Sequence, residues 1–166
     1  VSIEFINFGP WRYPKFQAEG FSSQFCWTFA KRFCKGDGFD IGCNRPEWCF
    51  PGAQGIDLKY NDGYDAYNLP DRQVNYIFSS HCLEHLPNWV TALDHWTTRL
   101  KKNGVLFLYL PHYDQQYWRP WNNPKHIHAL TFEQINDYLQ HKKYVNILHG
   151  DRDLNHSFTV VAEKII

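Results

Sequence analysis

The spacing of apolar positions changes along the chain, and each change predicts an element. Phe21, Phe25, Phe29 and Phe33 recur every four residues, which marks one face of a helix. Ser22 is placed to cap it, and Gly36 and Gly38 to end it. Phe39 to Ile41 and Gly55 to Leu58 are short apolar runs that read as strands, with a weaker third near Ala66 to Leu69. Val74 to Ser79 reads as a buried strand. Pro87 then opens a helix whose inner face is Trp89, Leu93, Trp96 and Leu100, closed by Lys101, Lys102 and Gly104.

Val105 to Leu110 is the longest apolar run, of strand rather than membrane-span length, and suits a central parallel strand. Thr131 and Gln134 form a capping box before a helix with Phe132, Ile135 and Leu139 inward. Val145 to Leu148 and Phe158 to Ala162 read as two last strands. Their link is too short for a crossover, so they pair antiparallel. The expected fold class is α/β, a doubly wound, mostly parallel sheet of the seven-stranded type with a reversed C-terminal strand. A single domain is expected over 1–166, with a helical cover over 1–35 and a Rossmann-like core over 36–166.

Composition narrows the function classes. Lys plus Arg and Asp plus Glu number 17 each, so no strong field for nucleic acid or an anionic membrane is expected. The segment from Val1 to Pro10 has no basic stretch before an apolar one and does not read as a secretory signal. The chain contains no Met, so Val1 is not read as a natural start. The five cysteines, Cys26, Cys34, Cys43, Cys49 and Cys82, lack the two-residue spacing of zinc or redox motifs. Reduced thiols, a cytoplasmic location and no metal are the expectations.

Two segments carry nucleotide chemistry. In Phe39-Asp40-Ile41-Gly42-Cys43-Asn44 a strand ends in an acid and a glycine, where a ligand can approach the backbone. In Gly55-Ile56-Asp57-Leu58 an acid stands at the end of the next strand, placed to accept from ribose hydroxyls. There follow Tyr76-Ile77-Phe78-Ser79-Ser80-His81-Cys82-Leu83-Glu84-His85-Leu86, a helix, and Lys102-Asn103-Gly104-Val105-Leu106-Phe107-Leu108-Tyr109-Leu110-Pro111. In this order the chain resembles the class I (Rossmann-like) S-adenosylmethionine-dependent methyltransferases of the type 11 group, over roughly residues 36 to 165.

The resemblance implies a cofactor, S-adenosylmethionine, and roles for particular residues. Asp40 would hold the turn near the methionyl amino group, with Gly42 and Cys43 beside it. Asp57 would bind the ribose hydroxyls, next to Leu58. Ala66 and Tyr67 would border the adenine. Ser79 and Ser80 would line the sulfonium region, and His81 would lie closest to the methyl. The family glycine is replaced by Asn44, which tolerates left-handed backbone, and a small residue by Pro46, so the usual helix over 44–54 should be short or absent.

The histidines are open to two readings. His81 and His85 are four apart, with His85 read as a structural hydrogen-bonding residue. His112, after the fifth strand, and His126 are candidate bases alongside His81. The segment 113–124 holds aromatics and amides suited to a planar or sugar-like acceptor, and Tyr117, Trp118, Trp121 and His128 are the candidate substrate residues. The expected activity is methyl transfer to oxygen or nitrogen of a small polar molecule. The alternative is a non-catalytic nucleoside binder, or a complex-forming domain, that keeps the fold.

Overall fold

The computed structural model describes residues 3–166, without the side chains at positions 146 and 147; Val1 lies outside the described residues. A hairpin opens the chain, β1 (Phe5–Phe8) and β2 (Trp11–Pro14), followed by α1 (Lys15–Ala18) and α2 (Ser23–Ala30). The main sheet is built from β3 (Gly38–Ile41), β4 (Gln54–Ile56), β5 (Val74–Ser80), β6 (Leu100–Pro111), β7 (Tyr144–Gly150) and β8 (Ser157–Lys164). Two longer helices complete it, α3 (Trp89–Arg99) and α4 (Phe132–His141).

The strand order is β4-β3-β5-β6-β8-β7. The first four are parallel, and β8 runs antiparallel to both of its neighbours. The expected doubly wound sheet with a reversed last strand is therefore present. Among the described residues it has six strands, because the weak run at 66–69 pairs only through one bridge, Asp65 to Asn68. Its backbone donors go to side chains instead: Tyr67 N to Asp65 Oδ1 at 2.7 Å and Leu69 N to His95 Nε2 at 2.9 Å. Such local bonds compete directly with a ladder.

Both faces of the sheet are buried, which explains the nearly continuous apolar runs of β5 and β6. Ile77, Leu106 and Leu108 face α3 and α4, where Leu93, Trp96, Ile135 and Leu139 pack. Tyr76, Phe78, Phe107 and Tyr109 point the other way, toward α2. The inner face of α2 is Cys26 and Ala30, continued by Cys34, with Phe25, Phe29 and Phe33 only partly buried. Small residues let the helix approach a sheet face already filled by rings, such as Phe78 and Phe107 stacked at 5.4 Å. The expected phenylalanine face thus flanks the contact and does not centre it.

Helix ends differ from expectation in similar ways. Ser22 makes no side-chain cap, and α3 starts after Asn88, whose side chain accepts from Thr91 N at 3.1 Å. Lys101, Lys102 and Gly104 belong to β6 and not to the helix end. The Thr131–Gln134 capping box forms as read. The stretch after β3 has only a single turn, Pro46–Trp48, in place of a helix. No helix among the described residues is long and apolar enough to cross a membrane.

Candidate functional site

A cavity of about 730 Å³ opens at the C-terminal ends of β3, β4 and β5. That is where ligands sit in open α/β sheets, because the chain reverses direction there and leaves a crevice. The turn after β3 forms its floor. Gly42 has φ +86°, and a Cβ on it would lie 2.6 Å from Cys82 Cβ and Sγ. Glycine is therefore required by the approach of β5's extension, besides any ligand access. Asn44 takes the left-handed conformation, φ +66°, as its replacement of glycine demands.

Asp57 joins this turn to the next one. Its Oδ2 accepts from Asn44 N at 2.8 Å and its Oδ1 from Lys59 N at 3.0 Å. Each oxygen keeps a second lone pair, so the carboxylate can still accept from a ligand facing the cavity. Asp40 is 1% exposed, and its Oδ2 accepts from Phe50 N at 2.6 Å. Burial holds the Asp40 carboxyl well above the ordinary carboxylate range. Leu58 is 77% exposed at the rim, beyond the end of β4.

Ala66 and Tyr67 form the opposite wall. Ala66 is fixed by its carbonyl, which accepts from Trp96 Nε1 at 2.7 Å, and Tyr67 Oη accepts from Asn88 N at 3.1 Å. At the end of β5, Ser80 lines the cavity with a buried Oγ that has no partner among the described residues. Ser79 turns away, donating to Ile41 O at 2.9 Å, and does not line the cavity. His81 follows in left-handed backbone, φ +48°, with Nε2 2.8 Å from Ser157 Oγ.

A family model described as a methyltransferase domain, Methyltransf_23, matches residues 16–149. The chain belongs to this methyltransferase-domain family. It is a class I S-adenosylmethionine-dependent methyltransferase. Solved structures share the fold at low sequence identity. The N-methyltransferase NodS from Bradyrhizobium japonicum, in complex with S-adenosylhomocysteine, aligns with TM-score 0.61 and 13% identity, covering 90% of this chain and 87% of its own. A methyltransferase from Archaeoglobus fulgidus gives 0.60 and 17%, covering 88% and 94%. The 1,6-didemethyltoxoflavin-N1-methyltransferase of Burkholderia thailandensis gives 0.59 and 13%, covering 89% and 77%. No curated protein matches in sequence.

The cavity suits the cofactor of this methyltransferase on three observations. Its volume lies in the range of small-molecule sites. The left-handed turn at Gly42 and Asn44 presents backbone to it, and the orphaned Ser80 Oγ needs a partner that a bound ligand would provide.

The loop over 112–131 contributes less of the methyltransferase cavity than expected. Trp118 and His126 line it, with rings stacked at 5.0 Å and 10°. His112, Tyr117, Trp121 and His128 do not. His112 is drawn off by Asp114 Oδ1 at 2.6 Å. Tyr117 packs on Phe8 and Tyr13 of the N-terminal hairpin, with centroids at 5.1 and 5.4 Å. Trp121 is 69% exposed, and His128 Nε2 bonds to Leu86 O at 3.0 Å.

Several wall residues escaped the sequence reading. Gln17, Gly20 and Ser22 come from the N-terminal cover and Lys125 from the loop, where Asn123, one of the amides of the segment 113–124, also lines the cavity. His85 also lines the cavity, although it was read as structural, and it does make the expected bond, Nδ1 to Lys125 O at 2.6 Å. Below it Glu84 is completely buried, and burial pushes its carboxyl up to about 8. Burial also pushes His126 down to about 3 and His81 well below the usual imidazole range.

Proposed function

We propose that this cavity transfers a methyl group to an oxygen or nitrogen of a small polar acceptor, such as a sugar, in the cytoplasm. The observation that carries the reading is the convergence of the Gly42 turn, Asp57 and Ser80 on one side with Trp118 and His126 on the other. When bound, S-adenosylmethionine supplies a methyl group already activated on sulfur. The ribose falls to Asp57, beside Leu58. The methionyl end falls to the backbone at Gly42 and Cys43, above Asp40. The adenine would be bordered by Ala66 and Tyr67.

The acceptor then occupies the space below Trp118, near His81 and His126. Transfer of that methyl would form a carbon–oxygen or carbon–nitrogen bond as the carbon–sulfur bond broke, and would release one proton from the acceptor. His81 is lowered in basicity by burial and neutral near pH 7, so it can accept that proton, but only as a weak base. Alignment of the acceptor and exclusion of water supply most of the acceleration. Trp118 also offers a ring face to the cationic donor. A balanced formal charge, with 17 acids and 17 Lys plus Arg, supports a small acceptor over a polyanion. Five unpaired cysteines support a reducing compartment.

A methyl-release assay with S-adenosylmethionine and a panel of small hydroxyl and amino metabolites tests the reading. Turnover on one of them is expected; binding of S-adenosylhomocysteine with no turnover on any would favour a non-catalytic binder. Asp57→Ala should weaken calorimetric binding of S-adenosylhomocysteine by about 1–3 kcal/mol, the range for leaving buried polar partners unpaired. Unchanged affinity would remove Asp57 from the site. Trp118→Ala should lower turnover by roughly 10-fold or more while changing that affinity little, since it faces the acceptor side. Full turnover in this variant would make the ring structural.

A further inference from the structure

The buried carboxylate of Glu84 has an unusual setting. It lies in the turn Leu83–His85 directly after β5, and neither oxygen has a hydrogen-bond partner among the described residues. Three imidazole nitrogens surround Oε1: His81 Nδ1 at 3.8 Å, His85 Nε2 at 3.8 Å and His126 Nδ1 at 3.9 Å. These separations are too long for hydrogen bonds. They are close to those between ligands that share one ion, since tetrahedral donors about 2.1 Å from zinc stand roughly 3.4 Å apart.

The tautomers sharpen the point. The carbonyl of Lys125 can only accept, so His85 Nδ1 carries its proton and Nε2 turns a lone pair toward Glu84. Ser157 Oγ donates to Asn155 O at 3.1 Å, so it accepts from His81 Nε2 and leaves His81 Nδ1 as a second lone pair. His126 Nδ1 is buried without a partner. Nothing in the cluster donates to the carboxylate. The lone pairs of His85 Nε2 and His81 Nδ1 face the Glu84 oxygens in a buried site, which calls for a proton or a cation among them. A backbone carbonyl holding the far nitrogen is also the usual support of a metal-ligating histidine.

We propose that Glu84, His85 and His126 bind a divalent first-row transition cation, zinc by the chemistry of the set, with a free coordination position facing the acceptor side of the cavity. The donor atoms of these three residues lie within 4.8 Å of one another. Two imidazoles and one carboxylate match catalytic zinc sites that keep a position open. His85 and His126 line the cavity, so that position opens where the acceptor sits, and an acceptor hydroxyl would be held there. This role rests on the methyl-transfer reading; the binding of the ion does not. His81 stands by as a further neighbour of Glu84. Another cluster, Asp40, Cys43 and Cys49, has comparable spacing, but its groups are already engaged. Cys43 Sγ contacts Tyr60 Oη at 2.8 Å, Cys49 Sγ donates to Ala53 O at 3.5 Å, and Asp40 accepts from Phe50 N. The sequence expectation of no metal rested on cysteine spacing and on reading His85 as a structural hydrogen-bonding residue in preference to a ligand.

The full chain, stripped with chelator, would be titrated with zinc chloride by calorimetry and with cobalt(II) followed by absorption. The expected result is one ion per chain, with cobalt d–d bands and no thiolate charge-transfer band. Glu84→Gln and His126→Ala should each weaken zinc binding at least 100-fold. His126→Ala lies in the loop, and an unchanged circular dichroism spectrum and melting temperature would tie its loss to ligation. No stoichiometric zinc, a thiolate band, or zinc binding unaffected by His126→Ala would overturn the site. S-adenosylhomocysteine calorimetry on the metal-free protein separates the two readings. Nucleoside binding without zinc sinks only the metal site; zinc without nucleoside binding sinks only the methyl-transfer reading.

Discussion

Trp96→Ala should lower the unfolding free energy by about 3–5 kcal/mol, the cost of emptying a fully buried aromatic site. Trp96 is 0% exposed and sits where α3 meets the sheet face of Ile77, Leu106 and Leu108. The indole also carries a polar load, because Nε1 holds Ala66 O at 2.7 Å. Its removal leaves a cavity and frees a carbonyl at the wall of the site. Urea unfolding of the variant measures the first effect. Trp96→Phe isolates the second: most of the volume remains, the hydrogen bond is gone, and S-adenosylhomocysteine affinity should fall with only a modest loss of stability. If Trp96→Ala unfolds within about 1 kcal/mol of the parent, α3 is not docked as described.

Gly42→Ala should cost nearly as much and abolish measurable cofactor binding. The left-handed backbone at φ +86° penalises any side chain by roughly 1–2 kcal/mol. A methyl group 2.6 Å from Cys82 Cβ and Sγ adds overpacking of about 1–3 kcal/mol. The strain falls where β3 meets the segment after β5, so the turn and the Ser80–Cys82 wall must part. The two costs separate in a double variant. Gly42→Ala with Cys82→Gly removes both clashing atoms and leaves only the backbone term, so it should recover part of the lost stability relative to Gly42→Ala in a Cys82→Gly cycle. A melting temperature for Gly42→Ala equal to the parent's would show that the turn is not held in this conformation.

Much of the architecture was legible in the residues themselves. Period and length placed the strands of the sheet, because a strand buried on both faces must be apolar throughout. The short link after β7 dictated the antiparallel pairing, since a crossover needs more chain. The capping box at Thr131 and the left-handed Asn44 followed from local chemistry that operates within three or four residues. The acid-ended strands pointed to the crevice because turn geometry there is local as well.

What remained illegible depended on which side chains compete for a backbone group or a space. The N-terminal hairpin was hidden because its worth lies in a distant contact: Tyr13 Oη accepts from Gln116 N at 2.9 Å and Tyr117 N at 3.1 Å, and this turns Tyr117 away from the cavity. The inner face of α2 went to Cys26 and Ala30 over the larger phenylalanines because the opposing sheet face was already filled with rings. His112 was lost to a carboxylate two residues on, and the strand at 66–69 to local side-chain acceptors. The Glu84 cluster shows the limit most clearly. His81, Glu84 and His85 are neighbours in sequence, yet the group becomes a cation-sized cage only when Ile127 N and His128 N bond to Glu84 O at 2.9 and 3.1 Å. Those two bonds fold the loop back and bring His126 in from about forty residues away, a juxtaposition that periodicity and spacing do not encode.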